Sequence, residues 1–153
     1  MKKTAVFPGS FDPITRGHEY VLRQAIPLFD EIIIAVGENT EKKHLFSLEQ
    51  RIQWIKKVFS NEKTVSVSTY TGLTVDFCRS VGARYILRGL RTSADFEFER
   101  VIAQMNRQLF PGIETVFLLT ASEYSHLSSS IVREIYLCKG DLRDFIPVGV
   151  EIR

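Results

Sequence analysis

The residues best suited to chemistry lie near the N-terminus, in the segment Pro8-Gly-Ser-Phe-Asp-Pro-Ile-Thr-Arg-Gly-His18. This segment follows an apolar run, Ala5–Phe7, that is typical of a buried strand, and it leads into apolar residues at helical spacing. Ligands of open α/β sheets bind beyond the carboxyl ends of strands, where helix N-termini attract phosphate. His18 and the hydroxyl of Ser10 can donate hydrogen bonds to phosphate oxygens there. The segment therefore predicts a nucleotide-binding loop, although a lone histidine is also compatible with a surface residue.

A second candidate is the run Arg88-Gly-Leu-Arg91, placed directly after the predicted strand Arg84–Leu87. Guanidinium groups bind phosphate oxygens in pairs of hydrogen bonds. If the first and fourth strands are neighbours in the sheet, Arg88 and Arg91 face the loop from Ser10 to His18. The alternative is a solvated basic turn.

Two further segments carry hydroxyls and cations. Ser128-Ser-Ser-Ile-Val-Arg133 opens the last predicted helix, where hydroxyls either cap the helix or bind a polyphosphate. Lys42-Lys43 follows the second predicted strand, and a lysine pair there either binds an anion or is merely solvated.

The helix predicted after Arg91 has an acidic N-terminal half, with Asp95, Glu97 and Glu99. Negative charge near a helix N-terminus is stabilised by the helix dipole, which accounts for the pattern. Of the three, only Glu99 is a candidate ligand for a ribose or for metal-bound water. His44 and His126 belong to no constellation of residues that predicts chemistry.

Apolar, β-branched runs alternate with helical patterns, which predicts an α/β fold with a parallel sheet and helices on both faces. Thr64–Tyr70 alternates in polarity and is expected at an edge of that sheet. The predicted strands are Ala5–Phe7, Glu31–Val36, Thr64–Tyr70, Arg84–Leu87 and Glu114–Leu119. Five helices are predicted. The first begins near Gly17, and the others are Leu48–Phe59, Thr74–Val81, Ala94–Leu109 and Ser129–Lys139.

Local signals mark several helix ends. Ser47 and Gln50 form a predicted capping box, Gly82 ends the third helix, and Pro27 should end the first helix near Ile26. In the fourth helix, apolar residues share one face at helical spacing. They are Phe98, Val101, Ile102, Met105 and Leu109.

The composition of the 153 residues is that of one globular domain, 1–153, with 44% hydrophobic and 25% charged residues. A formal net charge of +2 argues against nucleic-acid binding through a basic field. No stretch approaches the ~18 apolar residues of a membrane span, and no signal peptide is visible, so a cytoplasmic protein is expected. Cys78 and Cys138 are predicted to be reduced packing residues, and no metal-ligand spacing is present.

Taken together, these segments resemble the nucleotidylyltransferase superfamily, whose T/H-x-G-H signature matches Thr15-Arg-Gly-His18. Within it, the chain is similar to the bacterial phosphopantetheine adenylyltransferase family. The matching stretches are Lys42-Lys43, Arg88–Arg91, Ala94–Glu99, Gln104–Arg107 and Ser128–Glu134.

The resemblance implies transfer of the adenylyl group of ATP to 4′-phosphopantetheine, which yields dephospho-coenzyme A and pyrophosphate. It also implies a Rossmann-like sheet of five parallel strands, Mg²⁺ accompanying ATP, a homohexamer, and feedback inhibition by coenzyme A. Two positions depart from the common pattern: Ser10 stands where Thr is common, and Phe98 where Tyr is common.

The same resemblance implies roles for individual residues. The catalytic residues would be Ser10, His18, Lys42 and Arg91. The ATP-binding residues would be Ser10, Phe11, His18, Gly89, Leu90, Arg91, Glu99, Tyr124, Ser125, His126, Leu127, Ser128, Ser129 and Ser130. The phosphopantetheine-binding residues would be Ser10, Lys42, Thr74, Arg88, Met105, Asn106 and Glu134, with no protein ligand set for a metal.

The motifs contain cations and donors but no cysteine nucleophile and no Ser/His/Asp triad, which favours direct in-line attack by the acceptor phosphate. A covalent adenylyl intermediate on His18 is the competing mechanism. The alternative functions are another small-molecule nucleotidylyltransferase, such as a nicotinamide-mononucleotide adenylyltransferase or a cytidylyltransferase, and a non-catalytic nucleotide-binding module.

Overall fold

Five parallel strands form one sheet in the order β3-β2-β1-β4-β5, in a computed structural model that describes residues 1–153. β3 lies at an edge of the sheet, as its alternating pattern predicted. The strands are β1 Thr4–Gly9, β2 Glu31–Gly37, β3 Val65–Tyr70, β4 Tyr85–Leu90 and β5 Glu114–Leu119.

Five α-helices connect the strands or follow them, close to the predicted positions. They are α1 Arg16–Ala25, α2 Leu48–Val58, α3 Thr74–Ser80, α4 Ser93–Leu109 and α5 Ser129–Leu137. The capping box of Ser47 and Gln50 is present, and Gly82 adopts a left-handed φ of +70° after α3. Pro27 lies in a 3₁₀ helix, Ile26–Leu28, that follows the end of α1.

The sheet is covered on both faces, as predicted. Neighbouring residues of β1 belong to different cores, because Phe7 packs in the cluster that includes α1 and α5, whereas Val6 packs with Val75 and Cys78 of α3. Alternate residues of a strand point to opposite faces, so the two clusters lie on opposite sides of the sheet. No helix is both long and apolar enough to span a membrane.

The first and fourth strands part at the centre of the sheet. β1 pairs with β4 only at Ala5–Tyr85 and Val6–Ile86, whereas β1 continues along β2 to Gly9. Strand order also reverses here, since the chain runs outward on either side of β1 and β4. Such a switch point is where open α/β sheets bind ligands.

Two predictions about single residues are wrong. Arg88 was placed after the fourth strand, but it lies inside β4 because its backbone continues to pair with β5, opposite Phe117. Cys138 was expected to be a packing residue, but it is exposed at the end of α5, whereas Cys78 is buried.

Helix α4 turns its apolar face away from the rest of the fold. Its predicted apolar stripe is exposed, with Phe98 the most open at 69%. The side facing the sheet is polar or small and carries Asp95, Glu99, Ala103 and Asn106, which line the cavities described below. The periodicity predicted the helix correctly, and the structure shows that most of its apolar stripe faces outward rather than into the protein.

Candidate active site

His18 is held at the start of α1 by a reciprocal cap. Thr15 is the N-cap, and its hydroxyl accepts a hydrogen bond from the backbone N–H of His18 at 3.3 Å. In return, the backbone N–H of Thr15 donates to Nδ1 of His18 at 3.0 Å. This contact requires an unprotonated Nδ1, so a neutral imidazole carries its proton on Nε2 and can donate it to a ligand.

The surroundings of His18 favour that neutral form. Burial, followed by the charges of Arg88 and Arg91, lowers the pKa of His18 from 6.5 to about 4. The ring of Phe11 packs edge-on against the imidazole at a centroid distance of 5.0 Å. In the absence of a bound anion, His18 is therefore a neutral hydrogen-bond donor at pH 7.

Each of the two arginines predicted to bind phosphate is held by an acid of α4. Arg88 donates from Nε and Nη2 to the carboxylate of Glu99, at 3.0 and 2.6 Å. Arg91 donates from Nε and Nη2 to the carboxylate of Asp95, at 3.1 and 3.3 Å. Burial alone would raise the pKa of Asp95, but its hydrogen bonds with Arg91 prevail and lower it.

Asp12 ties the lysine-bearing loop to the nucleotide loop. Lys42 lies in the exposed loop between β2 and α2, and the carboxylate of Asp12 accepts the backbone N–H groups of Leu45 and Phe46, both at 2.9 Å. His44, for which the sequence predicted no constellation, packs against Asp12 with a separation of 3.7 Å between Nδ1 and Oδ2. Burial and then the charge of Arg51 lower the pKa of His44.

Arg51 also connects the loop that carries Lys42 with the nucleotide loop. Its guanidinium is buried and donates to the carbonyl of Ser10 at 2.7 Å and to that of Phe46 at 3.2 Å. Sequence reasoning missed Asp12 and Arg51 because each contacts the backbone of a loop distant in sequence, at Leu45 and Phe46 for Asp12 and at Ser10 for Arg51.

A cavity of about 360 Å³ lies over the carboxyl ends of β1 and β4 and the start of α5. It corresponds to the predicted nucleotide site. The predicted ATP-binding residues that line it are Ser10, Phe11, His18, Gly89, Arg91, Glu99, Tyr124, Leu127, Ser128, Ser129 and Ser130.

Three residues predicted to bind ATP do not line this cavity. Leu90 is buried in the sheet, where its carbonyl accepts the N–H of Thr120 at 2.8 Å. The hydroxyl of Ser125 donates to the carbonyl of Ser122, and His126 is exposed. The cavity also includes Thr120, Asp95 and Arg133, which were not among the predicted site residues.

A larger cavity of about 660 Å³ adjoins the first, between α4 and the ends of β2 and β3. Of the residues predicted to bind the acceptor, it is lined by Ser10, Lys42, Thr74, Arg88 and Asn106. Met105 and Glu134 do not line it: Met105 lies on the exposed face of α4, and Glu134 is exposed on α5.

Tyr70 is the main feature of the larger cavity that the sequence did not reveal. Its hydroxyl lies 3.0 Å from the hydroxyl of Thr74, and its ring packs on Phe77. An aromatic residue at the end of an edge strand carries no motif, so only the fold identifies it.

The two cavities meet along a common wall. The residues that line both are Pro8, Gly9, Ser10, Lys42, Arg88 and Glu99. A group bound in one cavity can therefore reach a group bound in the other across Ser10, Lys42 and Arg88. This geometry suits transfer between two bound molecules, with cationic groups at the junction.

No group of three or more His, Cys, Asp or Glu side chains could hold a metal ion in the structure. The carboxylates nearest the nucleotide cavity are already engaged, Glu99 and Asp95 by arginines and Asp12 by backbone N–H groups. Because these carboxylates are engaged, a divalent cation bound here would be held mainly by phosphate oxygens and water.

Comparison with known proteins agrees with this geometry at the level of class. Residues 6–135 match the cytidylyltransferase-like family, so the chain is a nucleotidylyltransferase. A solved structure from Vibrio parahaemolyticus, described as a candidate nicotinate-nucleotide adenylyltransferase, shares the fold. Its TM-score is 0.74 at 15% identity, over 98% of this chain and 90% of that one.

Closer relatives narrow the class. A phosphopantetheine adenylyltransferase from Flavobacterium psychrophilum is 54% identical over 151 residues, or 99% of each chain. One from Cytophaga hutchinsonii is 43% identical over 150 residues, 98% of this chain and all of the relative. The chain belongs to the phosphopantetheine adenylyltransferase family, which confirms the resemblance of its motifs.

Proposed function

We propose that this protein transfers the adenylyl group of ATP to 4′-phosphopantetheine, giving dephospho-coenzyme A and pyrophosphate. The observation that carries this proposal is the pair of cavities joined at Ser10, Lys42 and Arg88. ATP fits the smaller cavity, which begins at the phosphate loop. The extended acceptor fits the larger one, with its phosphate at the junction.

The proposed reaction is a direct in-line displacement. An oxygen of the acceptor phosphate forms a bond to the α-phosphorus of ATP, while the bond from that phosphorus to the bridging oxygen breaks and pyrophosphate leaves with the electron pair. The attacking oxygen is already anionic, so no strong general base is needed. Catalysis then consists of positioning and of stabilising charge.

His18, Lys42 and Arg91 supply the charge stabilisation. The proton on Nε2 of neutral His18 is available to an α-phosphate oxygen as negative charge builds on it. Lys42 adds positive charge at the junction, and Arg91 adds it in the nucleotide cavity. Mg²⁺ would enter as part of the ATP complex and neutralise charge on the pyrophosphate.

The competing mechanism, adenylation of His18, is tested by incubating the protein with ATP labelled in the adenine and omitting the acceptor. We expect no label on the protein, because Nδ1 is engaged by Thr15 and the proton on Nε2 leaves no lone pair for attack. Label retained after denaturation, and lost in His18→Gln, would establish the covalent route.

The acceptor is tested by supplying ATP and Mg²⁺ with 4′-phosphopantetheine in one tube and nicotinamide mononucleotide in another. We expect pyrophosphate and the mass of dephospho-coenzyme A in the first tube only. Product in the second tube alone would overturn the acceptor and keep the reaction class. Calorimetric binding of ATP with no pyrophosphate from any acceptor would indicate a non-catalytic module.

We also propose that the protein assembles as a homohexamer. The support is the exposed apolar face of α4, since monomers rarely leave so much contiguous apolar surface in water. Val101, half exposed on that face, gives a test. Analytical ultracentrifugation should show hexamers for the wild type and smaller species for Val101→Glu.

Coenzyme A is the proposed feedback inhibitor, because it combines an adenine nucleotide with a pantetheine arm and so carries a part suited to each cavity. We expect it to compete with both substrates in steady-state kinetics. A cytoplasmic location is proposed from the reaction, which uses ATP.

A further inference from the structure

Glu99 is the one residue that α4 buries, with 8% of its surface exposed. Most of the apolar residues of the helix lie on the opposite, exposed face, although Ile102 also lines the larger cavity. A carboxylate is costly to bury unless charged or polar partners compensate it. Its side-chain hydrogen-bond partner is the guanidinium of Arg88, so the burial of Glu99 is explained by that one contact.

Arg88 is held at both ends. The carboxylate of Glu99 accepts hydrogen bonds from Nε and Nη2 of Arg88. Nη1 donates to the carbonyl of Pro8 at 2.7 Å, across the gap between β1 and β4. A guanidinium has five N–H groups. Three are used here, and the remaining two, one on each Nη atom, are free to donate to a phosphate at the junction of the cavities.

Arg91 is held by the same arrangement, and the acid that holds it, Asp95, lies one helical turn before Glu99 on α4. Asp95 accepts from Nε and Nη2, and the carbonyl of Leu127 accepts from Nη1 at 3.1 Å. Asp95 and Glu99 are four residues apart, so they lie on the same side of α4. Asp95 lines only the nucleotide cavity, whereas Glu99 lies where the two cavities meet.

We propose that Glu99 is a positioning residue that holds Arg88 for the acceptor's phosphate, and that Asp95 is its counterpart holding Arg91 for the nucleotide. The proposal rests on the function proposed above. A long arginine side chain loses rotamer freedom when it binds a phosphate, and an acid that fixes its geometry beforehand removes part of that cost. The role differs from direct contact between Glu99 and ATP, which the family resemblance implies.

The positioning roles of Glu99 and Asp95 predict that loss of each acid weakens the binding of a different substrate. We would measure by calorimetry the Kd of 4′-phosphopantetheine and that of the non-transferable analogue α,β-methylene-ATP, and KM for both substrates. For Glu99→Gln we expect acceptor Kd and KM to rise about tenfold, with the nucleotide values changed less than about twofold. Asp95→Asn should show the reverse pattern.

Glu97→Gln is the matched control. Glu97 lies on the same helix and is exposed, and it pairs with Arg100 at 3.1 Å rather than with an arginine of the site. Both Kd values should stay at the wild-type level in this variant. If Glu99→Gln weakened nucleotide binding more than acceptor binding, or weakened both equally, the proposal would be overturned.

Two further variants separate positioning from loss of structure. Glu99→Asp keeps the charge but shortens the side chain by one methylene, so it should also weaken acceptor binding selectively. In an Arg88→Ala background, Glu99→Gln should cause no further loss of acceptor affinity, because the residue it positions is gone. An undiminished second loss there would contradict the role.

Failure of the proposed function would be visible in the wild type, which would then form no dephospho-coenzyme A. Failure of the positioning role would be visible only in the variants of a wild type that turns over. Circular dichroism of each variant confirms that the protein compared is folded.

Discussion

The two cavities differ in how they are built. Two segments that line the nucleotide cavity, Phe7–Asp12 at the end of β1 and Leu127–Ser130 at the start of α5, belong to motifs that the sequence analysis recognised. The acceptor cavity also has continuous stretches, Gly37–Lys42 and Tyr70–Gly72 at the ends of β2 and β3, but apart from Lys42 these carry no motif. Its other residues come from the end of β1, from β4, β5 and α3, and from one side of α4. A segment that carries a motif can be recognised in the sequence, whereas a segment without one is assigned to a site only by the fold.

The difference extends to charge. The nucleotide cavity combines a neutral imidazole, helix N-termini and Arg91, and therefore offers many donors to a polyanion. The acceptor cavity places its cations, Lys42 and Arg88, only at the junction. The rest of its wall is neutral or acidic, as suits an extended, mostly uncharged arm.

The largest expected effect is at His18. Because Nε2 would donate to the α-phosphate mainly as charge develops, His18→Ala should lower kcat by about 10²–10³, or about 2.7–4 kcal/mol, with little change in the Kd of ATP. His18→Gln keeps a side-chain N–H and should recover part of the loss. Full turnover in His18→Ala, measured by pyrophosphate release, would remove His18 from the mechanism.

The second prediction concerns pH and the neutral state of His18. Its pKa is about 4 in the folded protein against 6.5 when exposed, so between these values the unfolded chain binds the proton and the folded chain does not. Stability should therefore fall as pH drops from 6.5 to 4, by at most about 3 kcal/mol from this group. The measurement is urea unfolding of the wild type and His18→Gln across this range. Parallel curves would show that the imidazole is not held neutral.

The third prediction tests the separation of the cavities through their arginines. Arg88→Ala should raise the KM of the acceptor, and Arg91→Ala that of ATP, each by about tenfold to a hundredfold, since hydrogen bonds to charged groups are lost. Steady-state kinetics with one substrate saturating gives each value. If both variants raised the same KM, the two cavities would not divide the substrates as proposed.

The smallest expected effect lies in the acceptor cavity. Tyr70→Phe removes the hydroxyl that contacts Thr74 and should raise the acceptor KM by no more than about tenfold, leaving the KM of ATP unchanged. Thr74→Val removes the other partner, and the double variant should be no worse than the more impaired single variant if the pair acts together. An equal change in the KM of ATP would place Tyr70 outside a purely acceptor role.

Local signals predicted the elements well because they act over a few residues. The capping residues Ser47 and Gln50, the break at Pro27 and the stop at Gly82 each depend on neighbours within one helical turn. The edge position of β3 followed from its alternation. The proximity of Arg88 to the nucleotide loop also followed, once β1 and β4 were taken as neighbours.

The same reasoning did not identify the ion pairs of the site, although Arg91 and Asp95 lie only four residues apart. The acids of α4 were attributed to the helix dipole, yet Asp95 and Glu99 each hold an arginine of the preceding strand and turn. The resemblance implied that Gly89 binds ATP, and the structure adds a packing reason for a glycine there, because a Cβ would lie 2.9 Å from a methyl of Val21 on α1.

The sequence by itself determined the alternation of strands and helices and the phosphate loop with its histidine, and the resemblance of its motifs to a known family implied the class of reaction. These depend on residue types and spacing within short segments, where propensity, capping and periodicity act. Only the tertiary structure decided which face of α4 meets the site, how Glu99 reaches Arg88 on β4, and where Tyr70, Asp12 and Arg51 act. Those outcomes depend on the parting of β1 from β4 and on packing between distant segments, which no local pattern records.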